Sequence, residues 1–89
     1  MGDLISVVVV NWNRRELLRR SVASIWSQEG VNFEVIVVDN GSTDGSPEML
    51  EQEFPSARVI RNRDNCGFCA ANNQGIAAAR VFRTTRRAP

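Results

Sequence analysis

Residues 4–10 read Leu-Ile-Ser-Val-Val-Val-Val, almost continuously apolar and β-branched, the pattern of a strand covered on both faces. A short polar break, Asn11-Trp12-Asn13, follows. Asn13 is placed to cap a helix, with Glu16 three positions on as its capping-box partner. Leu17, Leu18, Val22, Ile25 and Trp26 then keep helical spacing, while Arg14, Arg15, Arg19 and Arg20 fall largely elsewhere on the wheel. Gly30 ends that helix, and residues 33–38 (Phe-Glu-Val-Ile-Val-Val) form a second buried strand. Asp39-Asn-Gly-Ser-Thr-Asp-Gly45 is dense in turn formers and reads as loop. Ser46 as N-cap and Pro47 as first helical residue open a second helix, with Met49, Leu50 and Phe54 on its apolar side and Pro55 as its stop. Residues 57–61 make a short third strand and 62–67 a third polar loop. From Phe68 the chain is Ala-rich and helical, with Phe68, Ala71, Gly75, Ala78 and Phe82 along one stripe. Residues 83–89 are expected to fray as a basic tail behind a folded unit spanning 1–82.

This βαβαβα order predicts an α/β fold: a three-layer, Rossmann-like parallel sheet with right-handed crossovers and strand order 3-2-1. The first two helices then share one face and the third crosses to the other. No fourth strand is expected after it, so the first strand should keep an unpaired edge, through which a homo-oligomer is expected.

Composition narrows the chemistry. The 89 residues carry eleven cations, all Arg, against ten Asp plus Glu, a net +1 that gives no electrostatic footprint for nucleic acid. There is no His, which removes Ser-His-Asp and Cys-His mechanisms and the commonest metal ligand. The longest strictly apolar runs are four residues, as in Val7–Val10 and Val35–Val38, so no membrane span is expected. The Met-Gly-Asp start has no signal-peptide character, and the expected location is cytoplasmic, with the inner face of a membrane as a variant.

In a parallel sheet the loops leaving the strands open on one edge, where ligands bind. Here those loops are Asn11-Trp12-Asn13, Asp39–Gly45 and Asn62–Gly67, which bring an indole, several amides, carboxylates and glycines to one rim. Such a mixture suits a nucleoside: a ring wants an apolar wall, and glycines such as Gly41 and Gly67 let backbone N–H groups approach phosphate. Asp39 can accept the N3 proton of a uracil or thymine, and Asn40 can both accept and donate. Taken one at a time, each loop is also ordinary turn chemistry, and Trp12 alone also reads as a packing residue.

Val7-Val-Val-Val-Asn-Trp-Asn13, Val37-Val-Asp-Asn-Gly-Ser-Thr-Asp-Gly-Ser46 and Asn65-Cys-Gly-Phe-Cys-Ala-Ala-Asn-Asn-Gln-Gly-Ile76 closely resemble the start of family 2 glycosyltransferases, rhamnosyltransferase-like members above all. The resemblance covers about residues 4–80. It implies the first half of a GT-A fold, binding the nucleotide of a UDP- or TDP-sugar for an inverting transfer to an acceptor hydroxyl. By that analogy Asn11 and Trp12, with Asn13 beside them, flank base and ribose, and Asp39 with Asn40 and Gly41 meets the pyrimidine edge. Asn65, Gly67 and Phe68, with Asn72 and Asn73, then shape the pocket near ribose and diphosphate. The family's usual Asp-Asp is Asp-Asn here. Its divalent metal (Mg or Mn) is bound by an Asp-x-Asp beyond the third helix, and its acceptor-activating carboxylate also lies further on. Neither is expected within these residues, so the chain reads as a truncated, inactive donor-binding part, with no metal or catalytic residue of its own.

Two other readings stand beside it. Cys66-Gly-Phe-Cys69 is a C-x-x-C between strand and helix, the placement of a thiol–disulfide redox pair. Arg80, Arg83, Arg86 and Arg87, with no acidic residue after Asp64, would suit a non-catalytic module meeting an anionic partner.

Overall fold

The computed structural model describes residues 4–80 and the backbone of 85–87. The elements run β1 (Leu4–Asn11), α1 (Arg15–Trp26), β2 (Asn32–Asp39), α2 (Ser46–Glu53), β3 (Arg58–Arg61), α3 (Phe68–Ala78) and β4 (Thr85–Arg87). All strand pairs are parallel and the sheet order is β3-β2-β1-β4. The expected 3-2-1 order stands, with one strand added. Ser6, Val7 and Val8 of β1 pair with Thr85, Arg86 and Arg87, so the expectation of a bare first-strand edge is corrected over that stretch. The physical cause is the crossover: α3 returns the chain across the sheet to the one side of β1 that β2 does not occupy. An unpaired ladder there is a stronger pull than the weak strand propensity of an Arg-rich segment. The rest of the expected tail, and Phe82 of the expected helical stripe, lie outside the described residues.

The period-two alternation of each strand sorts the core into two layers. Val7, Val9, Val35 and Val37 point to one face and pack against Leu18 and Val22 of α1 and Met49 and Leu50 of α2. Trp26 and Phe54 stack at the rim of that layer, ring centroids 5.8 Å apart. On the opposite face α3 lies close over the sheet. A Cβ added to Gly75 would stand 2.3 Å from Val8 Cγ1 and 3.3 Å from Val38 Cγ2. Glycine sets that separation.

At the far end of the α3 face a buried acid ties four segments together. Glu34 accepts from Ser6 Oγ (2.7 Å), Arg58 Nη1 (2.8 Å) and the backbone N–H of Arg80 (2.9 Å). Arg58 also donates to the Ala78 carbonyl at 2.7 Å, holding the exit of α3. Arg80, read from the sequence as a contact for an anionic partner, is thus paired within the chain. Burial alone would push the Glu34 carboxyl up; the Arg80 N–H, the Ser6 hydroxyl and the Arg58 guanidinium outweigh it and hold the group below the usual carboxylate range. With the folded value depressed, the stabilisation is complete above the ordinary glutamate range and drains away as pH falls through the folded value. Urea midpoints are expected to drop from about pH 7 toward about pH 3, and to drop less in Glu34→Gln. The guanidinium-bearing side chains of Arg58 and Arg80 are 44% and 73% exposed and can turn to water when the acid is gone. The neutral-pH cost of Glu34→Gln is therefore about 1–3 kcal/mol, below that of stranding a fully buried partner.

Candidate functional site

The loops following β1, β2 and β3 meet at the carboxyl edge of the sheet and are hydrogen-bonded to one another. Asn11 and Asp39 are register partners at the ends of β1 and β2. Asp39 Oδ1 accepts from Asn11 Nδ2 (2.9 Å) and Ser42 Oγ (2.7 Å), and Oδ2 accepts from Ser42 N (2.9 Å). Ser42 Oγ in turn accepts from Asn13 N at 2.9 Å, and Asn13 Oδ1 accepts from Thr43 N at 2.8 Å. The first and second loops are thereby one unit.

Asn40 ties the second loop to the third. Its Nδ2 donates to the Gly67 carbonyl (3.2 Å), and its Oδ1 accepts from Asn62 Nδ2 (2.9 Å) and from the Cys66 thiol (3.2 Å). Asn62 and Gln74 exchange two amide bonds of 2.7 and 3.0 Å, anchoring the third loop on α3. Gly41 has φ +82°, and a Cβ there would stand 2.9 Å from the Arg63 carbonyl, so backbone meets backbone across this junction.

Helix capping differs from the local expectation. Asn13 has φ +51° and turns to Thr43 rather than to α1. The α1 N–H of Arg15 is capped by Asp44 Oδ2 at 2.9 Å, from 29 residues away. The other oxygen, Oδ1, accepts from Ser46 N (3.0 Å) and Ser46 Oγ (2.5 Å) at the start of α2, where Gly45 holds the N-cap position expected of Ser46. A capping box looks only three residues ahead and misses a cap delivered across the fold. Burial opposes the Asp44 charge, but the Ser46 hydroxyl and the Arg15 and Ser46 N–H groups outweigh it and hold the carboxyl below its ordinary value. Asp44→Ala is expected to cost about 1–3 kcal/mol, since one side chain serves two helix starts. Asp44→Asn should recover part of this, and chemical denaturation of the pair measures the difference.

Between α1 and the N-terminus of α3, beside the end of β1, lies a cleft of about 440 Å³. Val9, Val10 and Asn11 line it with Trp12 and Arg14, Leu17, Leu18 and Ser21 of α1 face it, and Asn40, Asn65 and Phe68 complete it. Trp12 and Phe68 are 52% and 51% exposed. Of the residues singled out in the sequence, Asn11, Trp12, Asn40, Asn65 and Phe68 line this cleft. Asn13 and Asp39 instead brace the loops behind it, with Asp39 almost fully buried. Gly41 and Gly67 are backbone contact points of the junction. Asn72 is buried on α3, and its Oδ1 has no hydrogen-bond partner among the described residues. Arg14, the one charged side chain lining the cleft among the described residues, was hidden by the expected helix start. With the cap supplied by Asp44, α1 begins at Arg15 and Arg14 sits ahead of it, at the mouth rather than on the helix's outer wheel.

The family model for glycosyl transferase family 2 matches residues 6–81. This chain belongs to glycosyltransferase family 2. It is 35% identical over 77 residues to the N-acetylglucosaminyl-diphospho-decaprenol L-rhamnosyltransferase of Mycobacterium tuberculosis (strain ATCC 25618 / H37Rv), an alignment covering 86% of this chain and 25% of that protein. It is 37% identical over 83 residues to glycosyltransferase GlyG of Streptococcus pneumoniae serotype 4, covering 90% of this chain and 28% of that one. Among solved structures it resembles the mannosyltransferase PcManGT of Pyrobaculum calidifontis in complex with GDP-Man and Mn2+. That likeness has a TM-score of 0.75 and 26% identity, over 84% of this chain and 24% of that one. The chain thus spans about a quarter of the length of the relatives it matches. The GT-A-type parallel sheet is shown by both the fold and this neighbour. No described helix is long and apolar enough to cross a membrane.

The mannosyltransferase holds Mn2+, and a divalent ion of that kind needs several converging oxygen ligands. Among the described residues no three Cys, Asp or Glu side chains converge as a ligand set. Asp39 and Asp44, the carboxylates of the second loop, already accept from Asn11, Ser42, Arg15 and Ser46. The described residues do not fit a metal centre, and no step is assigned to one.

Proposed function

We propose that this chain is the donor-binding part of a family 2 sugar transferase, holding a nucleoside diphosphate sugar in the cleft beside β1. The observation that carries the reading is the convergence of Trp12, Asn40, Asn65 and Phe68, from loops after different strands, on a single cleft that also contains Arg14. Trp12 and Phe68 offer apolar walls for the base and ribose, and the amides of Asn11, Asn40 and Asn65 offer donors and acceptors for polar edges. Arg14 supplies the cation for the diphosphate, whose oxygens match a guanidinium fork. The reaction of the whole enzyme is displacement at the anomeric carbon with inversion: the bond to the diphosphate breaks as the acceptor oxygen bonds. This chain's share is to bind and orient the donor and to balance charge on the leaving group. A cytoplasmic site of action belongs to the same reading.

Asp39, expected to read a pyrimidine edge, serves that role indirectly by fixing Asn11 and Ser42. Asn40, which lines the cleft while held by Asn62, the Cys66 thiol and the Gly67 carbonyl, is the neighbouring amide placed toward a base edge. The mannosyltransferase neighbour is in complex with GDP-Man, a guanosine nucleotide, so the base is best tested across a series. Calorimetric titration with UDP, TDP and GDP is expected to give saturable binding for at least one of them. Trp12→Ala should weaken that binding about tenfold or more, as loss of one stacking face costs about 1–3 kcal/mol. No saturable binding of any of the three, or Trp12→Ala binding like the parent, would overturn the reading. Sugar transfer by the 89 residues alone is expected to be undetectable.

A further inference from the structure

The C-x-x-C of the third loop is not consumed by donor binding. It is interleaved with it: Asn65 and Phe68 line the cleft, and Cys66 and Cys69 alternate with them. Both cysteines are free thiols and both residues are exposed. We propose that Cys66 and Cys69 are a redox modification site, and that joining them as a disulfide loosens the donor cleft; the second half of this rests on the donor-binding reading above.

The Cys66 thiol donates to Asn40 Oδ1 at 3.2 Å and accepts from Asn62 Nδ2 at 3.5 Å. It thus belongs to the cluster by which Asn40, 2% exposed, holds the third loop through the Gly67 carbonyl. A sulfur in a disulfide has no hydrogen to give, and bridging to Cys69 requires Cα atoms about 4.4–6.8 Å apart and a fixed dihedral. With the hydrogen gone, the donation to Asn40 Oδ1 is lost. The segment between the cysteines is built to turn: Gly67 has φ +87°, and a Cβ placed on it would meet no heavy atom within 4 Å. A turn there changes the Asn40–Gly67 and Gly67–Asn65 hydrogen bonds, and Asn65 on one side and Phe68 on the other are its chain neighbours.

The oxidant is a low-molecular-weight disulfide such as oxidised glutathione. The Cys66 thiolate attacks one of its sulfurs: that S–S bond breaks, a Cys66–glutathione bond forms, and one glutathione leaves carrying a proton. The Cys69 thiolate then attacks the Cys66 sulfur, closing the Cys66–Cys69 bond and releasing the second glutathione with the second proton. Two cysteines lose two electrons and one external disulfide gains them.

The test equilibrates the whole chain in glutathione buffers from fully reduced to fully oxidised. Intact mass reads the bond, hydrogen exchange reads the loop, and UDP, TDP and GDP titrations read the cleft. The expected result is loss of two hydrogens with no retained glutathione, faster exchange over residues 62–67, and about tenfold weaker nucleotide binding, the scale of one lost polar strut. Dithiothreitol should reverse all three. Cys69→Ser should stop at one bound glutathione and match the parent's affinity when reduced. A chain that never loses the two hydrogens, or loses them with unchanged loop exchange, overturns the proposal. If the reduced chain binds no nucleotide, the donor-site reading fails, while mass and exchange still decide the thiol pair.

Discussion

Gly75→Val is expected to be the most damaging single substitution on α3, lowering stability by about 2–4 kcal/mol, with Gly75→Ala costing about 1–2 kcal/mol. Helix propensity argues the other way, since Ala in place of Gly gains up to about 1 kcal/mol in a helix interior. Space decides the sign. The new Cβ would stand 2.3 Å from Val8 Cγ1, and Val8 is itself fully buried, so neither strand nor helix can yield without opening the layer. In a domain this small each kcal/mol moves the melting midpoint by about 4–8 °C. Asn73→Ala, on the exposed side of the same helix, is the control and should leave the midpoint unchanged or slightly raised. A stabilised Gly75→Ala would show that α3 does not sit where the account puts it.

Asp39→Ala carries the second large effect, and it reaches the site. The carboxylate accepts from Asn11 Nδ2, Ser42 N and Ser42 Oγ while 2% exposed. Removing it strands buried donors, each worth about 1–3 kcal/mol, for a total near 3–5 kcal/mol after partial relaxation. Asp39→Asn keeps the shape but turns one acceptor into a donor facing another donor, and should cost about 1–3 kcal/mol. Both variants should weaken nucleotide binding even where folded, because Asn11 and Trp12 lose the register that Ser42 and Asp39 impose. Urea denaturation followed by titration of the folded fraction separates the two consequences. Full binding by a folded Asp39→Asn would reduce the residue to scaffold.

The fold was legible because its signals are local and repeated. Val7–Val10 and Val35–Val38 announce buried strands by β-branching, and the polar runs after them mark the strand ends. What escaped was set by distance along the chain. The Asp44 cap on Arg15 joins residues 29 apart, and no window of helical length contains both. Missing that cap misplaced the start of α1, and with it Arg14. The pairing of Thr85–Arg87 with Ser6–Val8 escaped for a related reason: a short segment with two Arg and no apolar residue becomes a strand because an open ladder waits for it. The candidate loops were legible as a group, and their division of labour was not. Sequence cannot tell which polar side chains of a loop are engaged by their neighbours: Asp39 accepts from Asn11 and Ser42, and Asn13 bonds Ser42 and Thr43.

The central claim is that one cleft beside β1 receives the nucleotide of a sugar donor. A nitrogen-15 NMR titration of the reduced chain with UDP, TDP and GDP in turn tests it most directly. The account predicts saturable shifts concentrated at residues 11–14, 40–42 and 65–68 and at the Trp12 indole N–H, with the Trp26 indole unmoved. Saturable shifts centred elsewhere, or none with any of the three nucleotides, would contradict it.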